Sequence, residues 1–328
     1  MGKSKYMKKT LLFLINICAA MFITVNGYAD TTIYGCKDAD GETLHFTNVP
    51  APGRKCRIIF REKTETDVYP MRQKTVKNIR LPADKIIFVD EKINKIDNST
   101  AGLKKFYDAI EQARNNALQK IIIYHLGDSH VSASTFPKQI EALLQDELLI
   151  KNNSVPAEKS ANLNYYAFGS SGKTIEFFAA SEHMANSVAS LKPHLIIITL
   201  GTNDAFARLS YEGAMARLKR LTAIMQSASP QSSILFTLPA DCFYQGKNTN
   251  PYIGIIRRAF IDFCNRNRCA FWDLYQIMGG TQSMESWMSK GLSSADGVHF
   301  TEAGYAYQGS LLVGALKKGY LQYLQWAK

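Results

Sequence analysis

Ile121-Ile122-Ile123-Tyr124-His125-Leu126 runs without a break into Gly127-Asp128-Ser129-His130. The first six residues, rich in β-branched and aromatic side chains, read as a strand; the glycine and aspartate that follow end it in a tight turn. A serine at a strand-to-helix turn presents its hydroxyl at the sheet edge, with its own backbone N–H aimed where an oxyanion would form. The same tripeptide also suits an ordinary helix cap. Its meaning therefore depends on what the rest of the chain brings beside it.

Working outward, Leu163 to Phe168, Leu195 to Leu200, Ser233 to Leu238 and Ala270 to Leu274 read as further strands. Helical stretches lie between them at Leu103 to Leu118, Pro137 to Leu149, Ile175 to Val188 and Tyr211 to Gln226. Strands alternating with helices predict a parallel sheet covered on both faces. Leu195-Ile196-Ile197-Ile198 is the continuous apolar run that a doubly covered strand requires. In such sheets ligands bind beyond the carboxyl ends of the strands, which makes position a test for every motif.

Three more motifs stand at such positions. Gly169-Ser170-Ser171-Gly172-Lys173-Thr174 follows Phe168; it lacks the spacing of a Walker phosphate loop, and its two readings are a plain turn or a backbone donor at Gly172. Gly201-Thr202-Asn203-Asp204 follows Leu200, where Asn203 can aim an amide donor at the same oxyanion. Asp296-Gly297-Val298-His299 lies on a loop before a helix beginning near Thr301, and its spacing lets a carboxylate fix the tautomer of an imidazole base. The other histidines, His45, His125, His130, His183 and His194, read as packing or surface residues.

The order Gly-Asp-Ser, Gly, Gly-x-Asn-Asp, Asp-x-x-His resembles the SGNH (GDSL-type) hydrolase family over about residues 120 to 315. The resemblance implies a three-layer α/β/α sandwich with a flavodoxin-like parallel sheet. It implies Ser129 as nucleophile, Asp296 and His299 as its triad partners, and an oxyanion hole built from the Ser129 backbone, Gly172 and Asn203. No metal or organic cofactor is expected, and no C-x-x-C or H-x-x-x-H spacing occurs.

Gly-Asp-Ser-His-Val, Gly-Thr-Asn-Asp-Ala-Phe, Leu238-Pro239-Ala240-Asp241-Cys242 and the stretch from Trp272-Asp273 through Met278-Gly279-Gly280 to Trp287 are similar to peptidoglycan O-acetylesterases of Gram-negative bacteria. Some members of that group carry a carbohydrate-binding insertion between the first two motifs. Here 42 residues separate Ser129 from Gly172, so glycan contacts must come from elsewhere. Trp287 and Tyr244 are candidate sugar-stacking residues, and Arg257 and Arg258 candidate carboxylate partners, each weighed against simple packing or solvation. The expected activity is removal of O-acetyl groups from an envelope glycan through an acetyl-serine. The alternatives are acetyl transfer by the same triad, lysophospholipase or thioesterase activity, and glycan binding without catalysis.

Lys3, Lys5, Lys8 and Lys9 precede an apolar run from Leu11 to Val25, which predicts a secretory leader over residues 1–29 with cleavage before Asp30 and a periplasmic destination. A retained anchor is the competing reading, though the run falls short of the roughly 20 residues of a spanning helix. Residues 30–61 form an expected β-hairpin module around Asp38-Ala39-Asp40-Gly41, residues 62–85 a basic linker, and residues 86–328 the hydrolase domain. The formal charge of +11 becomes +7 without the four leader lysines; residues 54 to 85 alone hold ten basic and four acidic side chains. Such a run is a solvated face or an attraction to anionic envelope polymers. Nucleic acid is not expected as a partner, since no recognition motif accompanies the charge. In an oxidising compartment Cys36 would pair with Cys56 and Cys264 with Cys269, leaving Cys242 free.

Overall fold

The computed structural model describes residues 32–37, 44–47, 55–61, 78–116, 119–146, 163–244 and 248–327. The leader expected over residues 1–29, and residues 62–77 of the basic segment, lie outside the described residues. The chain divides into two compact units, Met1–Thr66 and Asp67–Lys328.

The N-terminal unit is a three-stranded antiparallel sheet rather than a hairpin. Strand β1 (Thr32–Lys37) pairs with β2 (Leu44–Thr47) as the glycine turn predicts, and on its other edge with β3 (Lys55–Arg61). The third strand begins the basic run, whose alternating charges hid it. The register sets Cys36 directly opposite Cys56; their side chains lie outside the described residues.

The larger unit is built on a six-stranded sheet of order β4-β11-β8-β7-β5-β6, formed by β4 (Ile96–Asp97), β5 (Ile121–Gly127), β6 (Leu163–Gly169), β7 (Leu195–Thr199), β8 (Ser233–Thr237) and β11 (Ala270–Trp272). A small hairpin, β9 (Phe243–Tyr244) with β10 (Asn248–Thr249), stands apart from it. Five strands are parallel, as expected; β4 runs antiparallel to β11 at the edge. Two residues carry no hydrophobic period, so β4 has no signature in the sequence.

Helices cover both faces. On one lie α1 (Lys104–Asn115), α2 (Thr135–Leu144) and the long C-terminal α6 (Glu302–Trp326). On the other, α3 (Glu182–Leu191), α4 (Tyr211–Ala228) and α5 (Pro251–Asn267) pack together. The expected helix from Ile175 to Val188 is broken: Ile175–Ala179 ends at Ala180, and the Ser181 hydroxyl caps α3 by accepting from the Met184 N–H. Leu195 to Ile198 on β7 are fully buried, each contributing about 1.5–3 kcal/mol by leaving water. No helix among the described residues is long and apolar enough to cross a membrane.

Residues 78–85, assigned to the linker by composition, are held against the larger unit. Gln139 of α2 accepts from the Ile79 N–H and donates to Asn78, and Lys290 donates to the Asp84 carbonyl. Cys264 and Cys269 correct a second expectation. The turn after α5 is closed by the backbone, Cys269 N donating to the Cys264 carbonyl at 3.0 Å, and both thiols are free, as is Cys242.

The parallel register aligns Gly127, Gly169, Thr199 and Thr237 at one edge. Gly169 permits this: a Cβ there would lie 2.1 Å from the Ser132 backbone nitrogen. We expect Gly169→Ala to force the Ser129–Ser132 turn away from β6 and cost about 1–3 kcal/mol, read as a lower urea midpoint; an unchanged midpoint would contradict this packing.

Candidate active site

Ser129 is the first residue of the short helix Ser129–Ser132 that leaves β5. Asp128 caps this turn, its carboxylate accepting from the His130 N–H at 3.0 Å. The Ser129 N–H, orphaned at the helix start, donates no hydrogen bond within the described residues.

The partner loop comes from the far end of the chain. Ser293 bridges to Phe300, Ser294 N donates to the His299 carbonyl, and Thr301 N donates to Leu292 O, so the segment 293–301 is cinched at its base. The Thr301 hydroxyl then caps α6. Asp296 folds onto its own loop, one oxygen accepting from the Val298 and His299 N–H groups at 2.9 Å each. Its other oxygen meets His299 Nδ1 at 2.7 Å, and His299 Nε2 meets Ser129 Oγ at 2.9 Å. Burial alone would raise the Asp296 pKa, but the hydrogen bonds from the His299 ring and from the two N–H groups outweigh it and hold the carboxyl below its usual range. Asp296 is thus an acceptor, and His299 Nδ1 carries the proton that leaves Nε2 free to accept from serine.

Gly172 sits in the left-handed region, at φ 75°, with open space on the side where a Cβ would stand. Its N–H, like that of Ser129, donates to nothing among the described residues. Asn203 lies in the turn Thr202–Phe206 after β7, and its position differs from the simple expectation of a free donor. Its amide nitrogen donates to Asp128 Oδ2 and to the Lys173 carbonyl, each at 3.1 Å, so both amide hydrogens are engaged. Asn203 ties the Gly172 loop to the serine turn.

Two further groups escaped sequence reading. Asp128 is completely enclosed; burial pushes its pKa up to about 7 despite hydrogen bonds from His130 and Asn203. His130, read as packing, is buried directly beside the catalytic candidate, its ring centroid 5.5 Å from that of His299. It lies 3.1 Å from the Tyr305 hydroxyl, and burial followed by repulsion from a charged His299 lowers its pKa to about 3. His130 is therefore held neutral beside His299. His125 is buried between Tyr165 and Thr199 at 2.7 Å from each, a structural role.

The peripheral candidates separate. Trp287 is buried against Phe300 and Tyr307 and reaches no solvent. Arg257 is held in a fork by Asp273 at 2.5–2.9 Å, and Arg258 faces Asp262 at 3.7 Å. Tyr244 is half-buried, its hydroxyl accepting from Arg208. No group of three or more His, Cys, Asp or Glu side chains among the described residues could hold a metal ion.

Comparison with known proteins places this geometry in context. A family model described as the GDSL-like Lipase/Acylhydrolase family matches residues 122–307. A solved peptidoglycan O-acetylesterase superposes with a TM-score of 0.59 at 14% identity, covering 68% of this chain and 97% of that one. An acetyl xylan esterase gives 0.47 at 17% identity over 60% of this chain and 99% of its own. A GDSL-like lipase from Parabacteroides merdae gives 0.48 at 14% over 61% and 96%. No curated protein matches.

The enclosed Asp128 leads to a pH test. Its folded pKa near 7 exceeds the unfolded value near 4, so between them the folded state holds a proton that the unfolded state lacks. This group's contribution to stability therefore falls as pH rises from about 4 through about 7. The Asp128→Asn variant should gain on the wild type in urea midpoint over that range; a constant difference would contradict the assignment.

Proposed function

The chain belongs to the GDSL-like lipase/acylhydrolase family, and from that premise we propose an exported serine esterase that removes O-acetyl groups from peptidoglycan through an acetyl-serine intermediate. The observation that carries this reading is the single imidazole of His299, hydrogen-bonded to Ser129 on one side and to Asp296 on the other. That arrangement makes the hydroxyl a nucleophile at neutral pH without a metal.

In the first half-reaction His299 Nε2 takes the Ser129 proton while Oγ bonds to the acetyl carbon. The carbonyl electron pair moves onto oxygen, where the unengaged N–H groups of Ser129 and Gly172 receive it. Asn203 supplies a third donor by exchanging the Lys173 carbonyl for the oxyanion. Collapse expels the sugar oxygen, which leaves with the proton from His299. Water then gives a proton to His299 and attacks the acetyl carbon; acetate departs and Ser129 regains its hydrogen.

Export rests on the lysine-flanked apolar run near the N-terminus, and the glycan on the motif resemblance together with the fold shared with a peptidoglycan O-acetylesterase. The basic run from Arg54 to Lys85 supports attraction to anionic envelope polymers.

The decisive assay measures acetate released from O-acetylated peptidoglycan, with the de-O-acetylated polymer as control. The wild type should release acetate from the first alone, and Ser129→Ala from neither. Equal release by the variant, or hydrolysis of simple esters with none from the polymer, would overturn the nucleophile or the substrate respectively. Asn203→Ala should lose on the order of 10² to 10³ in kcat; a change confined to KM would remove it from the oxyanion hole.

A further inference from the structure

We propose that Arg208 recognises a carboxylate on the acetylated sugar, whose ring lies against Phe206 and Tyr244. The inference rests on the esterase reading and extends it to the class of substrate, a carboxylate-bearing O-acetyl sugar.

The position follows from the two sides of the site. Arg208 stands five residues beyond Asn203, at the end of the turn that holds that side chain; Ala207 N donates to the Asn203 carbonyl and Arg208 N to that of Ala205. Tyr244 comes from the opposite side. Its neighbour Phe243 donates its N–H to the Gly297 carbonyl at 2.7 Å, between Asp296 and His299. The two meet: Arg208 Nε and Nη2 donate to the Tyr244 hydroxyl at 3.1 and 2.6 Å. The guanidinium carbon lies 5.8 Å from the Tyr244 ring centroid and 5.7 Å from that of Tyr252, and Phe206 lies 5.9 Å from Tyr244. A cation and a group of half-buried aromatic rings therefore stand where the Asn203 turn and the Asp296–His299 loop converge.

Among the described residues the charge on Arg208 meets no opposite charge, unlike that of its neighbours in the fold. Arg217 meets Asp204, Arg220 meets Glu176, Arg257 meets Asp273 and Arg258 meets Asp262. Arg208 is exposed and pairs with no carboxylate among the described residues. Of its five N–H donors the tyrosine hydroxyl takes two, which leaves the outer edge of the guanidinium for a carboxylate. An arginine fixed against aromatic rings loses little further freedom on binding. The aromatic faces suit the apolar face of a pyranose. These contacts also answer the short spacing between Ser129 and Gly172, which leaves recognition to the loops after β7 and β8.

The carboxylate has two sources in such a polymer, the lactyl ether of the sugar itself and the peptide attached to it. Three esters separate them: 6-O-acetyl-N-acetylmuramic acid, its carboxamide, and the corresponding muramoyl dipeptide acid. The wild type should favour an acid over the carboxamide in kcat/KM, mainly through KM. Arg208→Gln should reduce that preference on the order of 10- to 100-fold, with Arg208→Lys between the two. Preference for the free muramic acid assigns the lactyl carboxylate, and preference for the dipeptide alone assigns the peptide. An unchanged preference in Arg208→Gln, or equal losses on acid and carboxamide, would make the Arg208–Tyr244 contact a strap and overturn the proposal. Failure of the esterase reading registers differently, as no hydrolysis of any of the three by the wild type, and overturns both.

Discussion

One hydrogen bond, between Ser129 and His299, joins residues 170 positions apart in the chain, and the geometry of the larger unit serves to keep both ends of that junction in place. A hydrogen bond of 2.9 Å tolerates displacement poorly. Its serine end is fixed because β5 is buried between β6 and β7 and because Asp128 caps the following turn. Its histidine end is fixed because the 293–301 loop is closed by two backbone hydrogen bonds, which form the Ser293–Phe300 bridge, and flows into α6, which packs along α2. The helices that follow the two ends of the junction in sequence, α2 and α6, therefore share one layer.

Beside the junction lies a small cluster of buried polar groups. Asp128 touches the backbone of the serine turn and the Asn203 amide, while Asn203 reaches on to the Gly172 loop. One carboxylate thus sets the relation among three loops. His130 fills the space behind His299 without competing for its proton, because burial keeps it neutral. A cavity of about 10 Å³ lined by Asp128, His130 and Gln308 is large enough for one water, and the buried Gln308 amide nitrogen has no hydrogen-bond partner among the described residues.

The sheet was legible because its central strands are apolar runs whose ends coincide with glycine motifs; only the ends of those strands moved, by one or two residues. Strand β4 was not legible, since two residues pair through backbone alone. The break at Ala180 was hidden because the apolar period continues across it, and only Ser181 marks the new start. Within the site, the motifs located Ser129, Gly172, Asn203, Asp296 and His299 at one edge. The engagement of Asn203 could not be read, because its partners Asp128 and Lys173 belong to other loops. Arg208 escaped for the same reason: its significance depends on Tyr244, 36 residues away, whereas Arg257 looked equally available until Asp273 was found beside it.

Covalent labelling tests the central assignment most directly. A serine-directed organophosphonate should modify the native protein once, and peptide mapping should place the adduct on Ser129. His299→Ala should slow the labelling by orders of magnitude while leaving the fold intact by circular dichroism, because the hydroxyl would lose its base. An adduct on another serine, or a labelling rate indifferent to His299, would contradict the account.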